Sequence, residues 1–212
     1  MIFLRTAFAA LLLALAASGA QAQSVAQFGR DYIRLDPPRA VTSGERIEVI
    51  EFFYYGCPVC YELEPTLSRW IFNAPGSVAL RRVPVLSSDN WDNFAKLFYT
   101  LEAMGQLTRL HWPVYDNFHF NGVKLNDEPV MAGWVSHNGL DKQKFTDTYR
   151  SPEIQAKLAS ARAMTQSYEI KGVPSIVVDG KFLTSANMAG GTRELMAVVD
   201  QLVELARKER AK

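Results

Sequence analysis

Phe52-Phe53-Tyr54-Tyr55-Gly56-Cys57-Pro58-Val59-Cys60 carries both cysteines of the chain, spaced Cys-x-x-Cys. An apolar run rich in β-branched and aromatic residues, 47–55, leads into the pair and predicts a buried strand. Tyr61-Glu62-Leu63-Glu64-Pro65-Thr66-Leu67-Ser68-Arg69-Trp70 follows and predicts a helix. The cysteines therefore fall where a strand hands over to a helix. Cys57 takes the N-cap and Pro58 the first helical position, where a fixed φ and a missing N–H do no harm.

That placement has chemical consequences. The first turn of a helix offers unpaired N–H groups and the positive end of the helix dipole. A sulfur at the N-cap can accept the N–H of Cys60, and both effects favour thiolate over thiol. The thiolate is the nucleophile in disulfide exchange. Cys60 points inward on this reading, so Cys57 attacks or is attacked and Cys60 resolves the mixed disulfide. Zinc needs further ligands, and His111, His119 and His137 lie far along the chain in no ligand spacing. A purely structural disulfide closing so short a loop constrains the unfolded chain little. Two inert core cysteines remain the plain alternative.

Residues 1–22 read as a secretory signal peptide rather than as part of the fold. Arg5 is their only charge, residues 8–17 form an apolar core, and Ala20-Gln21-Ala22 is a small-x-small cleavage site. A retained N-terminal anchor is the alternative. The mature chain is expected to start near Gln23 and to work in an oxidising compartment, where a disulfide persists. Two cysteines do not staple a scaffold, so the pair is for use rather than for stability. Losing Arg5 takes the formal charge from +1 to 0. No basic stripe argues for nucleic acid and no acidic block for disorder.

Along the chain, Tyr32-Ile33-Arg34-Leu35 is a short candidate strand broken by Asp36-Pro37-Pro38, and residues 78–85 read as a strand parallel to the first. Helical patterns then cover 93–104, 110–120, 128–137, 142–149 and 151–168, punctuated by Gly105, Gly122, Gly133, Gly139 and Pro152. Strand signals resume at residues 172–178. Asp179-Gly180 reads as a two-residue hairpin turn into Lys181-Phe182-Leu183. Gly190-Gly191-Thr192 opens a last helix over 194–207, with Met196, Val199, Leu202, Val203 and Ala206 on its buried face. This is an α/β chain whose strand-bearing parts, 23–88 and 169–212, flank an all-helical insertion, 89–168.

Two further residues stand out. Val173-Pro174 opens a strand, where proline is tolerated, and the bond is a candidate for the cis isomer. Such a strand end leaves the backbone of Val173 free to pair with an extended peptide. Alternatively the proline only terminates the preceding helix and loop. Glu51 sits in the strand expected to be buried, and an unpaired buried carboxylate needs a partner or a raised pKa. Arg82 on the neighbouring strand is the candidate partner, and Glu51 could then take the proton of the inner cysteine. The alternative is a carboxylate facing solvent at the strand edge.

Taken together, these motifs resemble the periplasmic thiol–disulfide oxidoreductases of the DsbA type, a thioredoxin-like family, over essentially the whole mature chain. Val49-Ile50-Glu51-Phe52-Phe53 is similar to the family's active-site strand, and Gly172-Val173-Pro174-Ser175 to its cis-proline loop. The resemblance implies a thioredoxin-like fold with a helical cap. It implies donation of a Cys57–Cys60 disulfide to unfolded exported polypeptides, and reoxidation by a quinone-coupled membrane partner of the DsbB type. The expected site is Cys57, Cys60 and Glu51 for the chemistry, Val173 and Pro174 for substrate, and Pro58 and Val59 for redox tuning. No metal or cofactor is expected, and the protein is expected to act as a periplasmic monomer. Two positions depart from the pattern: Val59 stands where the family most often has His, and Arg82 where a familiar member has Lys. Losing the imidazole predicts a milder oxidant. A reductase or isomerase with restricted clients is a competing function, as is a chaperone that uses the groove without the thiols.

Overall fold

The computed structural model describes residues 25–87 and 89–212; the expected signal peptide lies outside the described residues. At its centre is β2 (Ile47–Phe53), whose seven residues are all buried. A strand buried on both faces reads as a continuous apolar run, and this one does apart from Glu48 and Glu51. β2 pairs in parallel with β3 (Val78–Pro84) after a crossover through α1 (Pro58–Asn73). On its other side it pairs antiparallel with β4 (Ser175–Val178), which continues antiparallel into β5 (Phe182–Ser185). β1 (Ile33–Arg34) closes the far edge, giving the order β1-β5-β4-β2-β3.

The two-residue period of the strands separates two cores. Ile47, Val49, Ile176 and Val178 face α1 and the last helix, α8 (Thr192–Arg210), meeting Leu63, Leu67, Leu195, Val199, Leu202 and Val203. Ile50, Phe52 and Val177 face the other way. They join one continuous cluster with α2 (Asp89–Ala103), α3 (Leu107–His119), α4 (Glu128–His137), α5 (Lys142–Tyr149) and α6 (Pro152–Ser167). These five helices follow β3 and precede β4, so the all-helical insertion stands as read. Their starts are written locally: Asp127, Asp141 and Ser151 each cap a helix by accepting the N–H three residues on.

Several boundaries differ from the sequence reading. α3 starts at Leu107, three residues before the pattern read over 110–120. A short helix, α7 (Ala186–Ala189), precedes α8 and shows no periodicity of its own. The strand after the insertion begins at Ser175, since Val173 and Pro174 belong to the loop before it. The hairpin turn does place Asp179 and Gly180 at positive φ (55° and 63°), but the ladder starts at Val178–Phe182, so Lys181 is an extra loop residue.

Candidate active site

Cys57 caps α1 as the sequence predicts. Its extended backbone (φ −88°, ψ 118°) turns the side chain back, and its Sγ accepts the N–H of Cys60 at 3.4 Å. The Sγ–H also points at the carbonyl oxygen of Val173, 3.7 Å away. Both cysteines are free thiols. The Cys57 thiol is pulled down to about 6. The Cys60 thiol beside it is the largest cause; partial burial opposes it, and the N–H groups of Cys60 and Val59 add to the pull. Cys60 is fully buried. Burial, with the neighbouring Cys57 and the charge of Glu51 adding to it, pushes its thiol well above the ordinary range. One strand-to-helix junction thus pushes its two thiols in opposite directions.

The Val173–Pro174 bond is cis, and this loop lies beside the cap. Val59, 39% exposed, and the loop line one groove of about 480 Å³ with Ile33, Leu183 and Met188. Pro58, at the first helical position, lies between the two cysteines. The structure therefore brings Cys57, Pro58, Val59, Val173 and Pro174 together at one surface.

Glu51 lies beneath it, with its side chain fully buried. Arg82, its register partner on β3, donates Nε to Oε2 at 3.0 Å. Oε1 has no hydrogen-bond partner among the described residues. Burial pushes this carboxyl up to about 8, against the pull of Arg82 and with the push of Glu64 and Cys57. A buried group with that value takes up and releases protons near neutral pH.

The profile of the DSBA-like thioredoxin domain matches residues 76–203. The chain belongs to the DsbA-like thioredoxin family. The thiol:disulfide interchange protein DsbA of Azotobacter vinelandii is 37% identical over 195 residues, spanning 90% of this chain and 91% of that one. The crystal structure of Pseudomonas aeruginosa DsbA superposes with a TM-score of 0.83 at 35% identity, covering 88% of this chain and 97% of that one. The Xylella fastidiosa DsbA structure gives 0.79 at 26% identity, covering 87% and 97%. The protein is accordingly a disulfide-introducing thiol–disulfide oxidoreductase.

Around this DsbA-type site the structure adds residues that the sequence reading passed over. Tyr54 stacks on Trp91 at 3.9 Å with parallel rings. Tyr61 lies between Trp112 (5.2 Å) and His119 (4.9 Å). His119 Nε2 donates to the carbonyl of Tyr55 at 2.7 Å. Glu64 and His111 are buried side by side, 3.3 Å apart. Glu64 was legible: Cys60, Leu63, Glu64 and Leu67 fall on one buried stripe at i, i+3, i+4 and i+7. His111, Val114 and Tyr115 make a similar stripe in α3.

Proposed function

We propose that the Cys57–Cys60 disulfide is donated to unfolded exported polypeptides in the periplasm by the following exchange. A substrate thiolate attacks Cys57 Sγ, the Cys57–Cys60 bond breaks, and its electron pair leaves on Cys60 Sγ, which takes a proton from Glu51. A second substrate thiolate then attacks the substrate sulfur of the mixed disulfide, and Cys57 leaves as a thiolate. The substrate dithiol is oxidised by two electrons and the cysteine pair is reduced by two. A quinone-coupled membrane reoxidase of the DsbB type reverses this. Cys57 thiolate attacks one sulfur of the partner's disulfide and the other leaves as thiolate; Cys60 gives its proton to Glu51 and closes on Cys57, and the partner's first sulfur then leaves as thiolate.

The observation that carries this reading is the contrast between the two thiols, with Cys57 at about 6 and Cys60 far above it. A low-pKa leaving thiolate stabilises the reduced form and makes the disulfide oxidising. Val173 and Pro174 line the groove beside Cys57 and are assigned to substrate, whose extended backbone pairs with Val173. Pro58 and Val59 are assigned to redox tuning. The strand-bearing segments 23–88 and 169–212 form the catalytic body, residues 89–168 its cap, and the protein acts as a monomer after a signal peptide, 1–22, is removed.

The test is the reduction potential of the pair, equilibrated against glutathione, with release of oxidised product from a reduced model polypeptide followed in parallel. A potential well above the glutathione couple supports the oxidase. A thioredoxin-like value transfers the protein to the reductants with restricted clients.

A further inference from the structure

Beneath the active site a chain of buried polar groups runs from the helical insertion into the sheet. Arg82 Nη2 donates to Glu64 Oε1 at 2.7 Å while its Nε serves Glu51, so one guanidinium is shared by two buried carboxylates. The Ser68 hydroxyl donates to the same Glu64 oxygen. His111 Nε2 lies 3.3 Å from Glu64 Oε2, and His111 Nδ1 lies 2.6 Å from the Tyr55 hydroxyl.

The chemistry fixes the direction of these bonds. An ionised carboxylate only accepts, so His111 carries its hydrogen on Nε2 and donates it to Glu64. Nδ1 then accepts from the Tyr55 O–H. Burial holds His111 below its ordinary value, against the pull of Glu64, so it is neutral at pH 7 and supplies a hydrogen bond rather than a charge. Burial pushes Glu64 up, but the donors His111, Arg82 and Ser68 outweigh it and keep it ionised.

We propose that His111 is a positioning residue for disulfide exchange. By holding Glu64 Oε2, it limits how much of Arg82 Glu64 can claim, and so sets how far Arg82 neutralises Glu51. This rests on the reading of Glu51 as the group that exchanges the Cys60 proton. The titratable groups facing Glu51 are Arg82, Glu64, Cys57 and Cys60, with the hydroxyls of Tyr55 and Tyr115, and those facing His111 are Glu64, Arg82 and the hydroxyl of Tyr55. Tyr115, whose hydroxyl is buried without a partner among the described residues, packs against His111 at 5.4 Å between ring centres.

The consequence is directional. Without His111, ionised Glu64 leans harder on Arg82, Glu51 loses part of its cation, and its titration moves alkaline. Without the charge of Glu64, Arg82 turns wholly to Glu51 and the titration moves acid. The step to follow is ring closure. With saturating oxidised glutathione, Cys57 thiolate attacks its disulfide and expels one glutathione thiolate, leaving the mixed disulfide; Cys60 then passes its proton to Glu51 and attacks Cys57 Sγ, and the second glutathione leaves as thiolate. Its rate is read by quenched flow from pH 5 to 9 in the full mature chain.

The expected result is an alkaline shift of about one pH unit in His111→Phe, which appears as a closure about tenfold slower at pH 7. Glu64→Gln shifts the profile acid, and His111→Gln, which keeps a donor near the Nε2 position, restores the wild-type profile. In a Glu51→Gln background His111→Phe has no further effect. A His111→Phe profile that overlays the wild type, or a His111→Phe loss that persists undiminished without Glu51, overturns the proposal. If His111→Phe does not fold, an unshifted Glu64→Gln profile overturns it alone. A Glu51→Gln profile like the wild type instead removes Glu51 from the mechanism, and the His111 proposal with it.

Discussion

Cys57 Sγ lies 3.7 Å from the carbonyl oxygen of Val173, 116 residues further along the chain. The thiol proposed as the nucleophile thus touches the loop assigned to substrate before any substrate arrives. A thiol can donate to that carbonyl and a thiolate cannot, so deprotonation at about 6 releases Val173 O as Cys57 becomes reactive. Thiolate absorbance and iodoacetamide labelling of the reduced protein are expected to rise together through pH 6, with Cys57 labelled and Cys60 spared. A midpoint near the ordinary thiol value, or equal labelling, contradicts the assignment.

The same ionisation is linked to stability. The folded-state value of Cys57, about 6, lies below the reference of 9.0. A depressed pKa contributes stability fully above the unfolded value and loses it as pH falls through the folded one. Reduced protein is therefore expected to gain resistance to urea between about pH 6 and 9 relative to Cys57→Ser. Parallel urea midpoints for the two proteins across that window contradict this.

Glu51 runs the other way. Its carboxyl rises from 4.5 to about 8 on folding, so the native state is favoured below the lower value and loses that advantage as pH rises through the higher. Glu51→Gln removes the burial of a charge. It is expected to stabilise the protein by about 2–4 kcal/mol at pH 9 and hardly at all at pH 4. Urea melts at both pH values check the sign, and destabilisation at pH 9 contradicts it.

Val59 is partly exposed beside Cys57, at the edge of the groove. An imidazole there adds partial positive charge near the thiolate. Val59→His is expected to lower the Cys57 pKa by about one unit and raise the reduction potential by about 30 mV. Unchanged potentials mean that the helix N-terminus and Cys60 already set the value.

Gly56 has no freedom to carry a side chain. A Cβ there falls 2.6 Å from the ring of Tyr54, which is itself stacked on Trp91. Gly56→Ala is expected to cost about 1–3 kcal/mol by overpacking. Tyr54→Ser is expected to relieve most of that cost in a double-mutant cycle. Additive losses would mean that the stack is not what excludes the methyl group.

The parts that were legible in the sequence are those fixed by local rules. The Cys57 cap, Pro58 at the helix start and the buried stripe of α8 all follow from neighbours within a few residues. Glu51 stood out as a charge within an apolar run, and its partner Arg82 could be named because adjacent parallel strands place residues side by side. The buried stripes of their helices mark Glu64 and His111 as buried, but spacing within one helix does not name a partner on another. Only the packing of α1 against α3 makes them neighbours. The Tyr54–Trp91 stack joins the end of β2 to the first turn of α2, and no periodicity announces such a meeting.

Phe53, Tyr55 and Cys60 belong to the same cluster as Phe94, Phe98, Val114 and Tyr115. The insertion therefore supplies the dry surroundings that keep the second cysteine quiet. A minimal version made by joining β3 directly to β4 would retain the motif and its cap but open Cys60 to water. The difference between the two thiols would shrink, and with it the one-way order of attack. The size of the contrast between these two thiols is then set by both halves of the fold together, not by the motif alone.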